Sequence, residues 1–284
     1  MKKEFTANCS GELIKLCLQE CPQLNYNQLK TALRKKDIKI NSHRVSQNVT
    51  ISNGDKIEIF LPNEKQKQVE FAYQDDFVAI SVKPQGVETT IKDKSFDSKS
   101  LEELTGFKAC HRLDKNTEGL IVLAKTEQAY NELLSAFKTE QVHKKYLCVV
   151  TGKPKQQANL TGYLVKNSQN NIVKIFDSKQ KNSALIKTNY SLVKINGELS
   201  LLEVELLTGK THQIRAHLAH NGLYILGDSK YGDKQMNKKY GIKKQLLCAY
   251  KLKFDFDSTS FLSYLNQKDF QICPTFDINS IKTK

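Results

Sequence analysis

The spacing of apolar positions divides the chain into segments with different periods. Between Ser10 and Pro22, the residues Leu13, Leu16, Cys17 and Cys21 recur at helical intervals and Pro22 follows the last of them, which predicts a short amphipathic helix. A second helix is predicted next, N-capped by Asn25 or Asn27, with Leu29, Ala32 and Leu33 facing inward. Lys30, Arg34, Lys35 and Lys36 give it a basic flank that continues to His43 and Arg44. The period then drops to two: Ile38 and Ile40 alternate with Lys39, Asn41-Ser42 supplies a turn, and Asn53-Gly54-Asp55 leads into a strand carrying Ile57, Ile59 and Leu61. The polar stretch from Pro62 to Gln68 follows neither period, and strand patterns dominate from Val69 onward. The predicted organisation is a small N-terminal α/β unit over 1–62, a linker over 63–68 and a larger domain over 69–284.

In the larger domain, the runs 77–82, 120–124, 146–150 and 199–207 are apolar or alternating and end at Gly, Pro or polar residues, as strands do. Thr126 is placed to cap a helix burying Ala129, Leu133, Leu134 and Phe137. Thr211 is placed to cap another that buries Ile214 and Leu218 and closes at Gly222. The expected fold class is α+β, with a mainly antiparallel mixed sheet.

Composition adds a bias in partner. Hydrophobic residues at 39% and charged residues at 26% belong to an ordinary globular chain. Lys+Arg 44 against Asp+Glu 30 leaves a formal charge of +14, which favours a polyanion and leaves RNA, DNA and anionic membrane open. Surplus surface lysine explains such a charge equally well until a motif is read. The seven cysteines, 9, 17, 21, 110, 148, 248 and 273, are odd in number and scattered through apolar stretches, so all are expected as reduced, buried thiols. The first residues lead into no apolar signal core, and no run approaches the roughly 20 apolar residues that span a bilayer. A cytoplasmic protein without membrane attachment is expected.

Two stretches carry chemistry. In His111-Arg112-Leu113-Asp114-Lys115-Asn116-Thr117-Glu118-Gly119-Leu120, a carboxylate flanked by cations sits on a polar loop entering an apolar strand, a setting that suits an acid required as an anionic nucleophile. Alone, such a triplet is an ordinary surface turn. In Leu206-Leu207-Thr208-Gly209-Lys210-Thr211-His212-Gln213-Ile214-Arg215, a strand gives way to a helix, and Lys210, His212 and Arg215 crowd donors at that junction toward an anion. Alone, this is helix capping.

Together, in order and spacing, the two stretches resemble the RluA-type family of pseudouridine synthases, whose motif around the catalytic Asp reads His-Arg-Leu-Asp-x-x-Thr-Ser-Gly-Leu. Val82-Lys83-Pro84-Gln85-Gly86 is similar to the family's Asn-Lys-Pro-x-Gly, and Lys144-Lys145-Tyr146 to its Lys-x-Tyr. Ile225-Leu226-Gly227-Asp228-Ser229-Lys230-Tyr231-Gly232 and Leu247-Cys248-Ala249-Tyr250 complete a series through most of residues 69 to 254. The N-terminal unit resembles an S4-type RNA-binding domain over about residues 10 to 61.

These resemblances imply a pseudouridine synthase fold that isomerises uridine in structured RNA without metal or cofactor. Asp114 would be the nucleophile that breaks the glycosidic bond, Tyr146 would stack on the uracil with its hydroxyl placed for proton transfer, and Arg215 would pair with Asp114. Leu206 would pack beneath the base, Arg112 would fill the space left by an extruded uridine, and His111, Thr117, Lys210, His212 and Gln213 would complete the substrate site. Arg34, Lys35, Lys36 and Arg44 would hold RNA. Ribosomal RNA of the large subunit is the preferred substrate because the S4-type attachment accompanies that class; transfer RNA is the second choice, and a monomer is expected. Two departures bear on substrate choice: Glu118 stands where the family often has Ser, and Lys210 replaces an Arg, keeping charge while losing a bidentate fork.

Competing readings fare worse. Gly209-Lys210-Thr211 imitates the end of a phosphate-binding loop, but Val204 stands where that motif needs Gly. His212, His217 and His220 invite zinc, but His212 and His217 do not share a helical face and no nearby thiolate pair completes a tetrahedral site. A non-catalytic RNA-binding or ribosome-assembly protein retaining the scaffold is the serious rival, and the intact Asp114, Tyr146 and Arg215 argue against it.

Overall fold

The computed structural model describes residues 2–24, 26–61, 69–91, 99–167 and 172–283. The candidate cap Asn25, the side chain of Asn27 and the predicted linker lie outside the described residues. Two compact units are present, an N-terminal one and a larger one beginning at Val69.

The N-terminal unit runs β1 (Lys2–Thr6), β2 (Gly11–Glu12), α1 (Leu13–Glu20), α2 (Tyr26–Arg34), β3 (Ile38–Ile40), β4 (His43–Val45), β5 (Thr50–Ile51) and β6 (Lys56–Phe60). Both predicted helices form and pack Leu13, Cys17, Leu29 and Leu33 against Ile38, Ile57 and Ile59. The Asn41-Ser42 turn forms with both residues at positive φ, 47° and 69°. That conformation matches the twist of a two-residue hairpin, and it sets Ile40 opposite His43. The sheet order is β1-β6-β3-β4, so β6 is central and β1, which the apolar pattern did not predict, covers one side of it.

The larger unit comprises β7 (Glu70–Gln74), β8 (Val78–Lys83), α3 (Leu101–Thr105), β9 (Lys108–Ala109), β10 (Glu118–Ala124), α4 (Glu127–Lys138), β11 (Val142–Thr151), β12 (Gln157–Asn167), β13 (Ile172–Phe176), β14 (Ala184–Asn196), β15 (Leu199–Leu206), α5 (Gln213–His220), β16 (Tyr224–Ile225), α6 (Lys234–Tyr240), β17 (Leu247–Phe254) and β18 (Phe270–Gln271). Its main sheet runs β13-β12-β14-β15-β11-β17-β10-β8-β7. Neighbours are antiparallel except β10 and β17, which meet in parallel over two residue pairs. The α+β, mainly antiparallel expectation therefore holds.

Strand β10 is buried at every position, which is why it reads as an unbroken apolar run. Ile121 and Leu123 join Tyr146, Cys148, Leu202 and Val204 under Ile214 and Leu218 of α5. Leu120 and Val122 join Val78 and Ile80 under Ala129, Leu133 and Ala136 of α4. Thr126 caps α4 as predicted, accepting from the Ala129 amide. Thr211 does not cap α5: His212 occupies that position in a left-handed conformation (φ 54°), and the chain enters the helix through a turn instead. Of the seven cysteines, Cys9 and Cys273 are exposed, which corrects the expectation that all are buried.

The parallel junction needs a glycine. At Gly119 (φ 124°) a Cβ would stand 2.3 Å from the Ala249 carbonyl oxygen and 2.6 Å from its nitrogen, so β10 and β17 touch only because the side chain is missing. Gly119→Ala is expected to cost on the order of 3 kcal/mol, combining left-handed strain with forced strand separation. The urea midpoint reads this directly, and an unchanged midpoint would contradict the close approach.

Candidate active site

The loop from Cys110 to Thr117 links β9 to β10 and is tied down on several sides. Thr89 Oγ1 donates to the Leu113 carbonyl (3.1 Å) and accepts from the Leu113 amide (3.2 Å). Lys83, fully buried, donates its ammonium to the carbonyls of Lys115, Pro84 and Val87 at 2.7 to 3.2 Å. Gln245 donates to the Thr117 hydroxyl (2.8 Å), and the Thr117 amide donates to the Asp114 carbonyl (3.0 Å). Asp114 thus projects from a fixed turn, with its side chain 19% exposed.

Arg215, on the first turn of α5, meets it. Its Nη1 donates to Asp114 Oδ2 at 2.8 Å, while Nε and Nη2 fork onto Asp228 at 2.7 and 2.9 Å. Asp228, completely buried in its side chain, also accepts from the amides of Lys230 and Tyr231. The guanidinium lies 5.1 Å from the Tyr231 ring centroid. Each of the three guanidinium nitrogens of Arg215 therefore has a carboxylate partner, and the fork onto Asp228 sets its orientation. Burial disfavours the Arg215 charge, but Asp228 and then Asp114 more than offset it and hold its pKa above the usual arginine value. Burial likewise opposes the Asp228 charge, and the hydrogen bonds and charge of Arg215 keep that carboxyl below its ordinary range. Asp228 received no role from sequence reasoning. The signal was present in the string Gly227-Asp228 through Tyr231-Gly232, but an Asp after a Gly reads as a turn until its burial is known.

Asp114, Tyr146, Arg215, Leu206 and His212 line one open cavity of about 250 Å³ together with Arg112, Lys144 and Lys210. Tyr146 is positioned where the β11–β17 register slips between Lys145 and Tyr146. Burial, reinforced by the Asp114 charge, raises its phenol, so it carries its proton at neutral pH. His212 Nε2 faces Asp114 Oδ2 at 3.9 Å, too long for a hydrogen bond. Its Nδ1 sits 2.9 Å from the Tyr231 hydroxyl, whose oxygen accepts from the Val173 amide, so the phenol hydrogen is available to the ring. Burial holds His212 below the usual imidazole value against the pull of Asp114. Arg112 and Lys210 are exposed at the rim.

Three of the expected substrate-site residues also have internal partners. His111 Nε2 accepts from the Val122 amide (3.0 Å) and its ring packs on Phe137. Gln213 accepts from Thr208 Oγ1 and the Lys210 amide and donates to the Lys187 carbonyl and Thr188, tying the loop ahead of α5 to β14. Thr117 is held by Gln245. These three border the cavity and also position its loops. Glu118 turns away from the cavity: its carboxylate accepts from the Thr275 amide and hydroxyl at 2.9 and 2.7 Å, fastening the C-terminal segment behind the Asp114 loop. The departure from Ser at this position thus has a structural purpose.

The His111 contact predicts a pH effect. Burial, then the charge of Lys144, pulls its pKa from 6.5 to about 3. The folded chain therefore binds fewer protons than the unfolded chain between those values, so the stability held by neutral His111 is complete above pH 6.5 and lost as pH falls toward 3. His217, brought to about 4 by burial and then by His220, adds in the same sense. The stability lost through His111 by pH 4 is on the order of 3 kcal/mol. His111→Gln is expected to flatten the plot of urea midpoint against pH between 6.5 and 4, and superimposable plots would contradict the assignment.

The fold and this cavity have relatives. The model of the RNA pseudouridylate synthase family matches residues 78–220. The ribosomal large subunit pseudouridine synthase C of Rickettsia typhi is 32% identical over 243 residues, 76% of this chain and 80% of that protein. The protein of the same name from Rickettsia bellii is 33% identical over the same length and shares. The solved structure of human RNA pseudouridylate synthase domain containing 1 shares the fold, with a TM-score of 0.58 at 20% identity over 77% of this chain and 95% of that one. The chain belongs to the RNA pseudouridylate synthase family, in its RluA-type branch. It is accordingly an isomerase that converts uridine in RNA to pseudouridine.

Proposed function

We propose that this chain modifies large-subunit ribosomal RNA in the cytoplasm, acting as a monomer with Asp114 as nucleophile. The observation that carries the site assignment is the Asp114–Arg215–Asp228 chain beside Tyr146 at one open cavity. The names of the two Rickettsia relatives favour the large-subunit substrate. The reaction breaks the bond between uracil N1 and the ribose, turns the base and joins C5 to the same carbon; N1 gains a proton and C5 loses one. Asp114 drives the cleavage, and Arg215 keeps the carboxylate aimed. Tyr146, protonated at the outset, holds the detached base against its ring and stands ready to pass a proton. Leu206 supports the base, and Arg112 takes the space the uridine leaves in the RNA. Lys210 and His212 border the same entry.

The N-terminal unit, over 1–62, acts in this reading as an S4-type RNA-binding domain joined through 63–68 to the catalytic domain of 69–284. Arg34, Lys35 and Lys36 are exposed on or just after α2. Arg44 is partly committed, donating to the Lys36 carbonyl at 2.6 Å and lying 3.7 Å from Asp37. Changing Arg34, Lys35 and Lys36 together to Gln is expected to weaken RNA affinity about tenfold and to flatten the log–log salt slope by about 0.7 to 0.9 per lost phosphate contact. Filter binding across a KCl series checks it; an unchanged slope would assign the unit another purpose.

Position-resolved mapping of pseudouridine in a deletion strain against its parent tests the substrate. Loss confined to large-subunit ribosomal RNA supports the proposal. Loss confined to transfer RNA overturns the substrate while leaving the chemistry in place.

A further inference from the structure

The cavity holds one cation whose role the residues above do not explain. Arg215 is shared between two carboxylates, so that trio carries a net negative charge. His111 is neutral near pH 7, and His212 is held toward its neutral form. Arg112 and Lys210 stand exposed at the rim. Among the described lining residues this leaves Lys144 as the cation set into the wall. No carboxylate lies within ion-pairing distance of it among the described residues, and its ammonium rests 4.8 Å from the Phe137 ring centroid. Burial, only partly countered by Glu140, draws its pKa below the ordinary lysine value, so the position costs stability that a polyanionic ligand would return.

Position narrows the ligand. Lys144 precedes Tyr146 by two residues on β11, the interval at which strand side chains return to one side, about 6.5 to 7 Å apart. Both border the cavity that also holds Asp114. A group that reaches Lys144 therefore belongs to the nucleotide whose base reaches Tyr146. We propose that Lys144 binds the phosphodiester of the extruded target uridine, and so fixes how deeply the base sits against Asp114 and Tyr146. The inference rests on the substrate and site proposed above and adds a substrate contact to them.

The test uses purified full-length protein and in vitro transcribed, unmodified large-subunit ribosomal RNA in single-turnover assays across a KCl series. Lys144→Met is expected to lower the rate constant at subsaturating enzyme, still in excess over RNA, about tenfold and to make its log–log salt dependence shallower by about 0.7 to 0.9, the signature of one lost phosphate contact. Lys144→Arg is expected to keep the wild-type slope. A Met variant that is slowed with an unchanged salt slope would overturn the proposal and leave Lys144 as packing for Phe137; so would a Met variant as fast as wild type. Failure of the wild-type protein to convert the transcript is read in the same experiment, before any variant, and would overturn the proposed large-subunit substrate together with a Lys144 contact to it.

Discussion

Asp114→Asn is expected to reduce conversion of uridine by ~10⁴-fold or more while RNA affinity stays within about threefold. The substitution keeps the size and planarity of the side chain, and the amide oxygen can still accept from Arg215 Nη1, now 2.8 Å from Asp114 Oδ2. Only the anion is lost. The folded protein should tolerate this, because removing one charge leaves Arg215 paired with the forked Asp228. An unaltered thermal midpoint with turnover abolished is the expected pair of results. Residual turnover within tenfold of wild type would remove Asp114 from the nucleophile's role.

Arg215 should behave differently, since it supports both folding and chemistry. Arg215→Met would leave the buried Asp228 carboxylate facing Asp114 with no cation between them, at an expected cost of about 3 to 5 kcal/mol and with conversion lost. In the wild type, Asp228 has a depressed pKa, so its stabilisation is present above the ordinary aspartate value and lost as pH falls below it. In the Met variant the same buried carboxyl would rise above that value, so the deficit should be greatest at neutral pH and shrink toward pH 5. Arg215→Lys should restore much of the stability but little of the rate, because one ammonium cannot fork onto Asp228 and also reach Asp114. Urea midpoints at pH 7 and 5, with single-turnover rates at pH 7, separate these effects; a Met variant as stable as wild type at neutral pH would contradict the trio.

Fully buried strands and helices with a single apolar stripe were legible in the sequence. Strand β10 announced itself because both faces are buried, and α4 because Thr126 precedes an apolar stripe. The long strands β12 and β14 escaped because they pair with one another toward the sheet edge and expose many of their side chains, so lysines and polar residues interrupt the alternation. Strand β1 contributes little apolar surface and is held by backbone pairing to β6, with Lys2 bridging Glu4 and Glu58. The loop and helix carrying Asp114 and Arg215 could be named from residue order. Their pairing was implied by the family resemblance; what was not legible is that Asp228, outside both stretches, sets the guanidinium. Likewise, the purpose of Glu118 depends on Thr275, a partner far along the chain that no local pattern connects to it.

Release of tritium from an unmodified large-subunit ribosomal RNA transcript labelled at uracil C5, incubated with the purified protein alone, examines the central claim most directly. Exchange of the C5 hydrogen must accompany formation of the carbon–carbon bond, so the expected result is release in step with pseudouridine formed, without added metal or cofactor. Saturable binding of that transcript with neither release nor pseudouridine would contradict the account and identify the chain as a binding protein on a synthase scaffold.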